Sequence, residues 1–235
     1  MLRLTHRSDV KELLDAENIP ADDLVLNMQE LDTINTYLGG HQITLTGFKK
    51  LAGKKKSIRI LEIGCGGGDN LRVIQSYCRK KGIEVHCMGV DLNPHIVSYA
   101  RINHPDIHFE ISDYRKMSLT TKPDIIFSSL FCHHFENDDL IAQLQWMRLN
   151  SGWGFFINDL HRHFLAYYSI QILTRLFSKS YLVKNDAPLS VARGFKKSEW
   201  QKLLKEVGMN EARIAWRWAF RHLIIYQHKK DFDEI

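Results

Sequence analysis

A glycine-rich turn with an acid beside it is the first stretch of the chain whose residue types suit chemistry. The segment "RILEIGCGGGDNL" (59–71) holds four glycines in five positions, and Glu62 stands two residues before the first of them. Such a turn binds a dinucleotide's phosphates when it reads G-x-G-x-x-G, but Asp69 takes the place of the third glycine. Two carboxylates would repel a pyrophosphate. The loop therefore predicts a nucleoside ligand that has positive charge and no phosphates, and S-adenosylmethionine has these properties.

Two clusters of polar residues follow apolar runs that predict strands. "LFCHHFEND" (130–138) contains His133 and His134, and "INDLHRH" (157–163) follows the next run. Because an open α/β sheet binds ligands at the carboxyl ends of its strands, we expect both clusters to lie in one cleft. A histidine with an ordinary pKa of about 6.5 can remove a hydroxyl proton at neutral pH. The alternative is that one or both histidines cap or pack against the following helix.

The second cluster supplies partners for such a base. Asp159 can orient a histidine, His161 is a further candidate base, and Arg162 can hold an acidic acceptor. The same histidines and Asp159 also allow a metal site. Their spacing matches no metal motif, and 12 histidines make some clustering expected by chance, so we predict no metal. The predicted catalytic residues are His133, His134, Asp159 and His161.

Alternating strand-like and helix-like segments must position these residues. Five short apolar segments predict a parallel sheet with helices on both faces. These segments are 58–64, 84–91, 107–113, 124–131 and 153–160. Two segments within 210–228, joined by a very short turn, predict an antiparallel C-terminal hairpin. Apolar residues at helical spacing predict helix over residues 8–38, ending at Gly39-Gly40. We expect an N-terminal helical cap over 1–50 and a doubly wound, Rossmann-like α/β domain over 51–235.

A long insertion separates the fifth strand from the next helix, at about 161–197. Its first half, "FLAYYSIQILTRLF" (164–177), is apolar and aromatic at helical spacing, whereas its second half, "SKSYLVKNDAPLSVARGF" (178–195), has the composition of a loop. The first half predicts either a helical lid that walls the acceptor pocket or a helix buried against the sheet. As a lid it implies a hydrophobic or aromatic acceptor, and it also allows weak contact with a membrane surface.

The order of these features resembles that of class I S-adenosylmethionine-dependent methyltransferases. "LEIGCGGG" is similar to the E/D-x-G-x-G-x-G motif of that family, Asp91 in "GVDLN" matches its ribose-binding acid, and Asp113 stands where the family has an acid or amide near adenine. The resemblance covers about residues 57–230 and implies a seven-stranded sheet of order 3-2-1-4-5-7-6. The cofactor-binding residues that it implies are Glu62, Gly64, Cys65, Gly66, Gly68, Asp91, Leu92, Asp113, Tyr114 and Ser129.

The resemblance implies an enzyme that uses S-adenosylmethionine. The predicted reaction is O-methylation of a small hydrophobic or aromatic (phenolic) hydroxyl acceptor. A C-methyltransferase acting on a quinone-like or lipid-like acceptor is the alternative within the family. "SSLF" (128–131) in place of an N-P-P-Y-like tetrapeptide argues against methylation of amino groups of bases or glutamine. A non-catalytic S-adenosylmethionine-binding protein and an NAD-linked oxidoreductase are the alternatives from other classes.

The composition fits one globular domain with a small addition. The net charge of +5 is mild and the basic residues are dispersed, which argues against a nucleic-acid partner. The four cysteines show no paired spacing, so a reducing compartment is expected. Because neither a signal sequence nor a membrane-spanning run is visible, we predict a cytoplasmic protein. The sequence leaves the oligomeric state open.

Overall fold

The computed structural model describes residues 4–16 and 18–229. The helices are α1 (Ala21–Tyr37), α2 (Gly40–Ala52), α3 (Asp69–Lys81), α4 (Pro94–Asn103), α5 (Asn137–Asn150), α6 (Phe164–Phe177), α7 (Tyr181–Arg193) and α8 (Lys197–Glu206). The strands are β1 (Ser57–Ile63), β2 (Glu84–Asp91), β3 (His108–Ile111), β4 (Ile125–Ser129), β5 (Gly154–Leu160), β6 (Arg213–Arg217) and β7 (Arg221–Gln227). Short 3₁₀ turns lie at Leu13–Asp15, Tyr114–Lys116 and Cys132–His134.

The sheet has the predicted strand order, β3-β2-β1-β4-β5-β7-β6. The first five strands run parallel, and β7 pairs antiparallel with both β5 and β6. The mostly parallel α/β sheet and its C-terminal antiparallel hairpin are therefore confirmed. Because parallel strands end at the same edge of a sheet, Glu62, Asp91, Ser129 and Asp159 all lie along that edge.

Helices cover both faces of the sheet. α2, α3 and α4 pack on one face, around Phe48 and Ile58, and we call this the α2 face. α5 and α8 pack on the other, around Trp200, and we call this the α8 face. Successive strand residues point to opposite faces. Asn158 therefore points to the α2 face, where it bonds α2, whereas Asp159 points to the α8 face.

The N-terminal region contains two helices and an extended segment. The helix predicted within 8–38 begins only at Ala21, because Pro20 lacks an N–H group and suits the position before a first turn. The prediction of helix before Pro20 was wrong, since the described residues there form only one 3₁₀ turn. α2 follows Gly39, whose φ of 75° breaks the helical path. Met28 of α1 is buried over the glycine loop.

The insertion between β5 and α8 forms α6 and α7. The prediction of a loop in its second half was wrong: α7 is capped by Ser180, whose Oγ accepts the N–H of Val183 at 3.3 Å, and it contains Pro188. α6 packs mainly on α7 and leaves most of its apolar side chains in solvent, with Leu176 69% and Phe177 78% exposed. A helix buried against the sheet, one of the two interpretations of α6, is therefore wrong.

The structure also bears on membranes and disulfides. None of the helices in the described part of the chain is both long enough and apolar enough to cross a bilayer. All four cysteines are buried free thiols.

Candidate active site

The glycine loop connects β1 to α3. Gly64 and Gly68 have φ values of 64° and 81°, which residues with a side chain rarely adopt. A Cβ at Gly64 would overlap the ring of Phe131, and a Cβ at Gly68 would overlap Phe109. Cys65 is buried within the loop. Glycine is thus required at both positions by backbone conformation and by close packing, independently of any ligand.

Glu62 is a buried carboxylate beneath this loop. Its side-chain Oε1 accepts a hydrogen bond from Nδ2 of Asn70 at 3.0 Å, whereas Oε2 has no partner among the described residues. Burial raises the pKa of Glu62 well above its ordinary value; the hydrogen bond from Asn70 opposes this effect, and Asp69 and Asp91 add to it. Buried polar atoms are normally hydrogen-bonded. This site is therefore incomplete without a ligand that donates a hydrogen bond or carries positive charge.

A chain of polar contacts joins Glu62 to the N-terminal helices. Oδ1 of Asn70 lies 3.0 Å from Nδ1 of His41, and Nε2 of His41 lies 2.8 Å from Oδ1 of Asp32. Asp32 also accepts a hydrogen bond from Nη2 of Arg72 at 3.2 Å. α1, α2 and α3 thus converge on the carboxylate at the end of β1.

Asp91 ends β2 beside the glycine loop. Its Oδ2 accepts the N–H of Gly66 and its Oδ1 accepts the N–H of Asn93, each at 3.0 Å. Burial raises the pKa of Asp91, and these backbone hydrogen bonds oppose the rise. Leu92, the next residue, is exposed. Because a carboxylate has about four acceptor sites, Asp91 can still accept hydrogen bonds from a ligand.

The other predicted cofactor residues have partners within the protein. Ser129 Oγ accepts a hydrogen bond from Nδ2 of Asn158 at 3.3 Å. Asp113 accepts bonds from Nε and Nη2 of Arg115, and this interaction holds the pKa of Asp113 below its ordinary value. Tyr114 is buried in the core of the α8 face, and burial raises its pKa to about 12. In this conformation Tyr114 faces the core.

His133 and Asp159 form a buried pair at the carboxyl ends of β4 and β5. Nδ1 of His133 lies 2.8 Å from Oδ1 of Asp159, and the backbone N–H of His133 donates to Oδ2 at 3.2 Å. The other ring nitrogen, Nε2, faces Oε1 of Glu12 at 3.5 Å. Burial by itself lowers the pKa of His133, but the two carboxylates outweigh it and raise the pKa to about 9. The imidazole is therefore protonated at neutral pH in this arrangement.

His134 lies beside this pair, with its ring centroid 4.5 Å from that of His133. Its Nδ1 lies 3.1 Å from Oδ1 of Asp15, and its Nε2 lies 3.9 Å from Oε2 of Glu12. One side-chain atom each of Glu12, His133 and His134 lies within 4.8 Å of the others. Histidines held by a carboxylate on the opposite nitrogen are also typical of metal sites. The cluster can thus transfer a proton or hold a cation.

The remaining residues of the second cluster point elsewhere. Nδ1 of His161 accepts a hydrogen bond from Nε1 of Trp216 in the C-terminal hairpin at 3.3 Å. Burial, together with neighbouring cationic groups, lowers the pKa of His161. Arg162 donates to both carboxylate oxygens of Glu199, at 2.6 and 3.1 Å, and its side chain is fully buried. The prediction that Arg162 holds an acidic acceptor was wrong, because Glu199 already neutralises it.

Known proteins share this fold and part of this sequence. The profile of the family described as "Methyltransferase domain" matches residues 60–149. Residues 60–149 thus form a methyltransferase domain. The plantazolicin methyltransferase BpumL, solved with S-adenosylhomocysteine and a pentazolic desmethylPZN analog, is similar over 88% of this chain and 91% of its own, at 18% identity and a TM-score of 0.66. Human N-acetylserotonin methyltransferase (ASMT), solved with S-adenosylmethionine, is similar over 90% of this chain and 57% of its own, at 14% identity and a TM-score of 0.62. No curated protein sequence matches the chain significantly.

The chain's own residues fit S-adenosylmethionine, the predicted cofactor. The unpartnered Oε2 of Glu62 suits a cation, and the cofactor carries one in its ammonium and one in its sulfonium. A cationic ligand therefore explains why the carboxylate of Glu62 stands directly before the glycine loop. The alternative of an NAD-linked oxidoreductase is set aside, because the matching domain is a methyltransferase.

Sequence reasoning missed Glu12, which the N-terminal segment (residues 4–16) brings into the methyltransferase's cleft. Asp186 of α7 accepts the backbone N–H of Leu13 at 2.8 Å, and Ser190 of α7 donates to Oε1 of Glu12 at 2.7 Å. Glu12 is consequently buried. No local pattern marks it, because a single acid in an extended segment has no periodicity. Only its contacts across more than a hundred residues of chain reveal it.

Proposed function

We propose that the methyltransferase transfers a methyl group to a hydroxyl oxygen of a small hydrophobic or aromatic acceptor. The observation that carries this proposal is the buried His133–Asp159 pair, with Glu12 on its free nitrogen, at the carboxyl ends of β4 and β5. Methylation of a hydroxyl releases a proton, and an imidazole oriented by a carboxylate is suited to accept it. Because the net charge is only +5, we expect a small molecule and no nucleic acid as the partner. We place the enzyme in the cytoplasm, in keeping with its free cysteines.

The proton-transfer step depends on Glu12. With Glu12 in place, two carboxylates keep His133 protonated, so the imidazole cannot act as a base. When the acceptor hydroxyl replaces Glu12 at Nε2, one of those carboxylates is removed and the pKa of His133 falls. The proton on Nε2 leaves with Glu12, which makes the imidazole neutral. The hydroxyl proton then passes to Nε2, while Nδ1–H stays bonded to Asp159.

The cofactor supplies an electrophilic methyl group on its sulfonium when it is bound. We assign Glu62 to its positively charged methionine end and Asp91 to its ribose hydroxyls. Support for Glu62 comes from its buried, unpartnered Oε2, and support for Asp91 from the acceptor sites that its two backbone hydrogen bonds leave free. Held there, S-adenosylmethionine would supply the methyl group to the acceptor oxygen and would keep the electron pair of its broken sulfur–carbon bond.

A panel of phenols and hydrophobic alcohols, assayed for S-adenosylhomocysteine, tests this function. The product's new methyl group is located by NMR: a methyl ether supports the proposal, and a carbon-bound methyl supports the C-methyltransferase alternative. His133→Gln should lower turnover by about 10²–10⁴-fold with cofactor affinity unchanged. His86→Gln, at an exposed histidine on β2, is the matched control. Unchanged turnover in His133→Gln would place the base elsewhere.

The same assay separates proton transfer from a cation-assisted reaction. The side-chain atoms of Glu12, His133 and His134 are close enough to share a divalent cation. Proton transfer through the imidazole predicts the same rate with and without EDTA. A rate that EDTA abolishes, and that a divalent cation restores, would assign the cluster to metal binding.

A further inference from the structure

Arg221, the first residue of β7, is a buried cation whose charge no described carboxylate pairs. Its Nη2 donates to Oδ1 of Asn35 at 2.8 Å, whereas Nε and Nη1 have no acceptor among residues 4–16 and 18–229. The residue is only 3% exposed. Burial lowers its pKa to about 10, although Asp159, on the opposite face of β5, opposes the shift. A buried cation with free N–H groups needs an anion.

The N-terminus of α2 lies against the same guanidinium. Nη1 of Arg221 lies 3.1 Å from the position that a Cβ on Gly40 would occupy. Gly40 is the first residue of α2, and the first N–H groups of a helix have no intrahelical acceptor and carry partial positive charge. The guanidinium thus lies close to the start of α2, and an anion bound by Arg221 there would also be near these N–H groups.

Asn158 adds an unpartnered acceptor beside these donors. Its Nδ2 donates to the carbonyl of Gly40, to Oγ1 of Thr44 and to Oγ of Ser129, at 3.1 to 3.3 Å. Its Oδ1 is buried and receives no hydrogen bond from the described residues. The register of β5 with β7 puts Asn158 and Arg221 on the same face of the sheet. Free donors and a free acceptor therefore lie on adjacent strands.

This group lies on β5 and β7, away from the glycine loop in the order of strands. In the sheet order, β7 is three strands from β1, which carries Glu62 and leads into the glycine loop. At about 4.8 Å between neighbouring strands, that is roughly 14 Å. β7 is also next to β5, which carries Asp159. By strand position Arg221 is thus nearer to Asp159 than to β1, although Arg221 lies on the α2 face, as Glu62 does, and Asp159 lies on the α8 face.

We propose that Arg221, with Asn158 and the N-terminus of α2, binds a carboxylate group of the methyl acceptor. This inference rests on the proposed function and narrows it: the acceptor is a hydroxy acid. The carboxylate oxygens accept from Nε and Nη1 of Arg221 and from the first turn of α2, as Arg–carboxylate pairs do. Oδ1 of Asn158 accepts a hydrogen bond from an O–H or N–H group of the substrate that receives the methyl group. Arg162, another buried arginine near this edge, has no such capacity because Glu199 holds it.

Calorimetric titration tests the inference by binding alone, with no methyl transfer. The result therefore does not depend on whether the proposed O-methylation is correct. The protein is saturated with S-adenosylhomocysteine and titrated with 4-hydroxybenzoate or with its neutral analogue 4-hydroxybenzyl alcohol. Wild type should bind the acid on the order of ten- to 100-fold more tightly, because the buried Arg221 makes charge-assisted hydrogen bonds only to the acid. Arg221→Gln should lose this preference. Arg213→Gln, at an exposed arginine on the adjacent strand β6, should keep it.

A second variant covers the case in which Arg221→Gln does not fold. Asn35→Asp places a carboxylate at the atom that already accepts from Arg221, so it should raise Tm and abolish the preference for the acid. Absence of acid binding, equal affinity for the two probes in wild type, or a preference that persists in Asn35→Asp would overturn the inference. An Arg221→Gln variant that loses S-adenosylhomocysteine affinity and keeps its preference for the acid would also overturn it, because the anion would then be the cofactor's own carboxylate.

Discussion

Replacing Glu62 by glutamine tests the most unusual electrostatic feature of the cofactor site. Glutamine keeps an oxygen that can accept from Asn70 but replaces the unpartnered Oε2 with an NH₂ group. The change removes the negative charge that suits a cationic ligand. A hydrogen bond to a charged group is worth about 1.5–3 kcal/mol, so S-adenosylmethionine affinity should fall about ten- to 150-fold. Calorimetric titration measures this loss directly.

The same substitution should not destabilise the protein without cofactor. Because burial raises the folded-state pKa of Glu62, the folded protein binds this proton more tightly than the unfolded chain does. The carboxyl therefore contributes most stability below its unfolded pKa of about 4.3, and this contribution is lost as pH rises toward the raised folded pKa. Urea unfolding at about pH 5 and about pH 8 should show wild type losing stability relative to Glu62→Gln as pH rises.

Glu84→Gln is the matched control, since Glu84 is an exposed acid at the start of β2. It should change neither cofactor affinity nor the pH dependence of stability. The reasoning is refuted if Glu62→Gln binds S-adenosylmethionine as tightly as wild type, or if Glu84→Gln reproduces its effects. A Glu62→Gln variant that is less stable than wild type at about pH 8 would show that the carboxylate has a partner within the folded protein.

Three further substitutions probe the site and its supports. Asp91→Asn should weaken S-adenosylmethionine binding by more than about tenfold in a fluorescence titration. Each carboxylate oxygen of Asp91 accepts one backbone N–H, and the amide replaces one of these two acceptors with an NH₂ group. Trp200→Ala should lower the free energy of unfolding by about 3–5 kcal/mol, since this side chain is fully buried. Phe177 is exposed, so Phe177→Ala should change the free energy of unfolding by less than about 0.5 kcal/mol. Equal losses in urea unfolding would contradict the assignment of α6 to the surface. Arg162→Met should lower stability by about 3 kcal/mol or more, and adding Glu199→Leu should recover part of this loss, since the first change leaves a carboxylate without its partner.

The sequence predicted the sheet well because its signals are local. Each buried parallel strand is a short apolar run, and the glycines after β1 mark a turn that only glycine can form. The strand order came from resemblance, since no local pattern specifies which strands are neighbours. The prediction of a loop over 178–195 was wrong because Pro188 and several polar residues give α7 the composition of a loop. The helix is stabilised by packing against α6 and the N-terminal segment.

The site could be predicted only in part. The positions of Asp91 and Asp159 at the ligand-binding edge of the sheet can be predicted, because each residue lies at the end of a predicted strand. Charge pairing does not follow, because it depends on contacts between distant segments. Glu12 meets His133 across 121 residues, and no sequence pattern distinguishes Arg162, which Glu199 neutralises, from Arg221, which no described carboxylate pairs. Which buried charge lacks a partner is a property of the assembled fold.

The attachment of the N-terminal segment to α7 has a consequence for how the cleft opens. Asp186 and Ser190 hold the segment, and Arg193, at the end of α7, donates to the backbone carbonyls of His133 and His134 at 3.0 and 2.9 Å. α7 is therefore hydrogen-bonded both to the N-terminal segment and to the turn that carries His133 and His134. Movement of α7 cannot release one without disturbing the other, so amide protons of these three segments should exchange with solvent as a single cooperative unit.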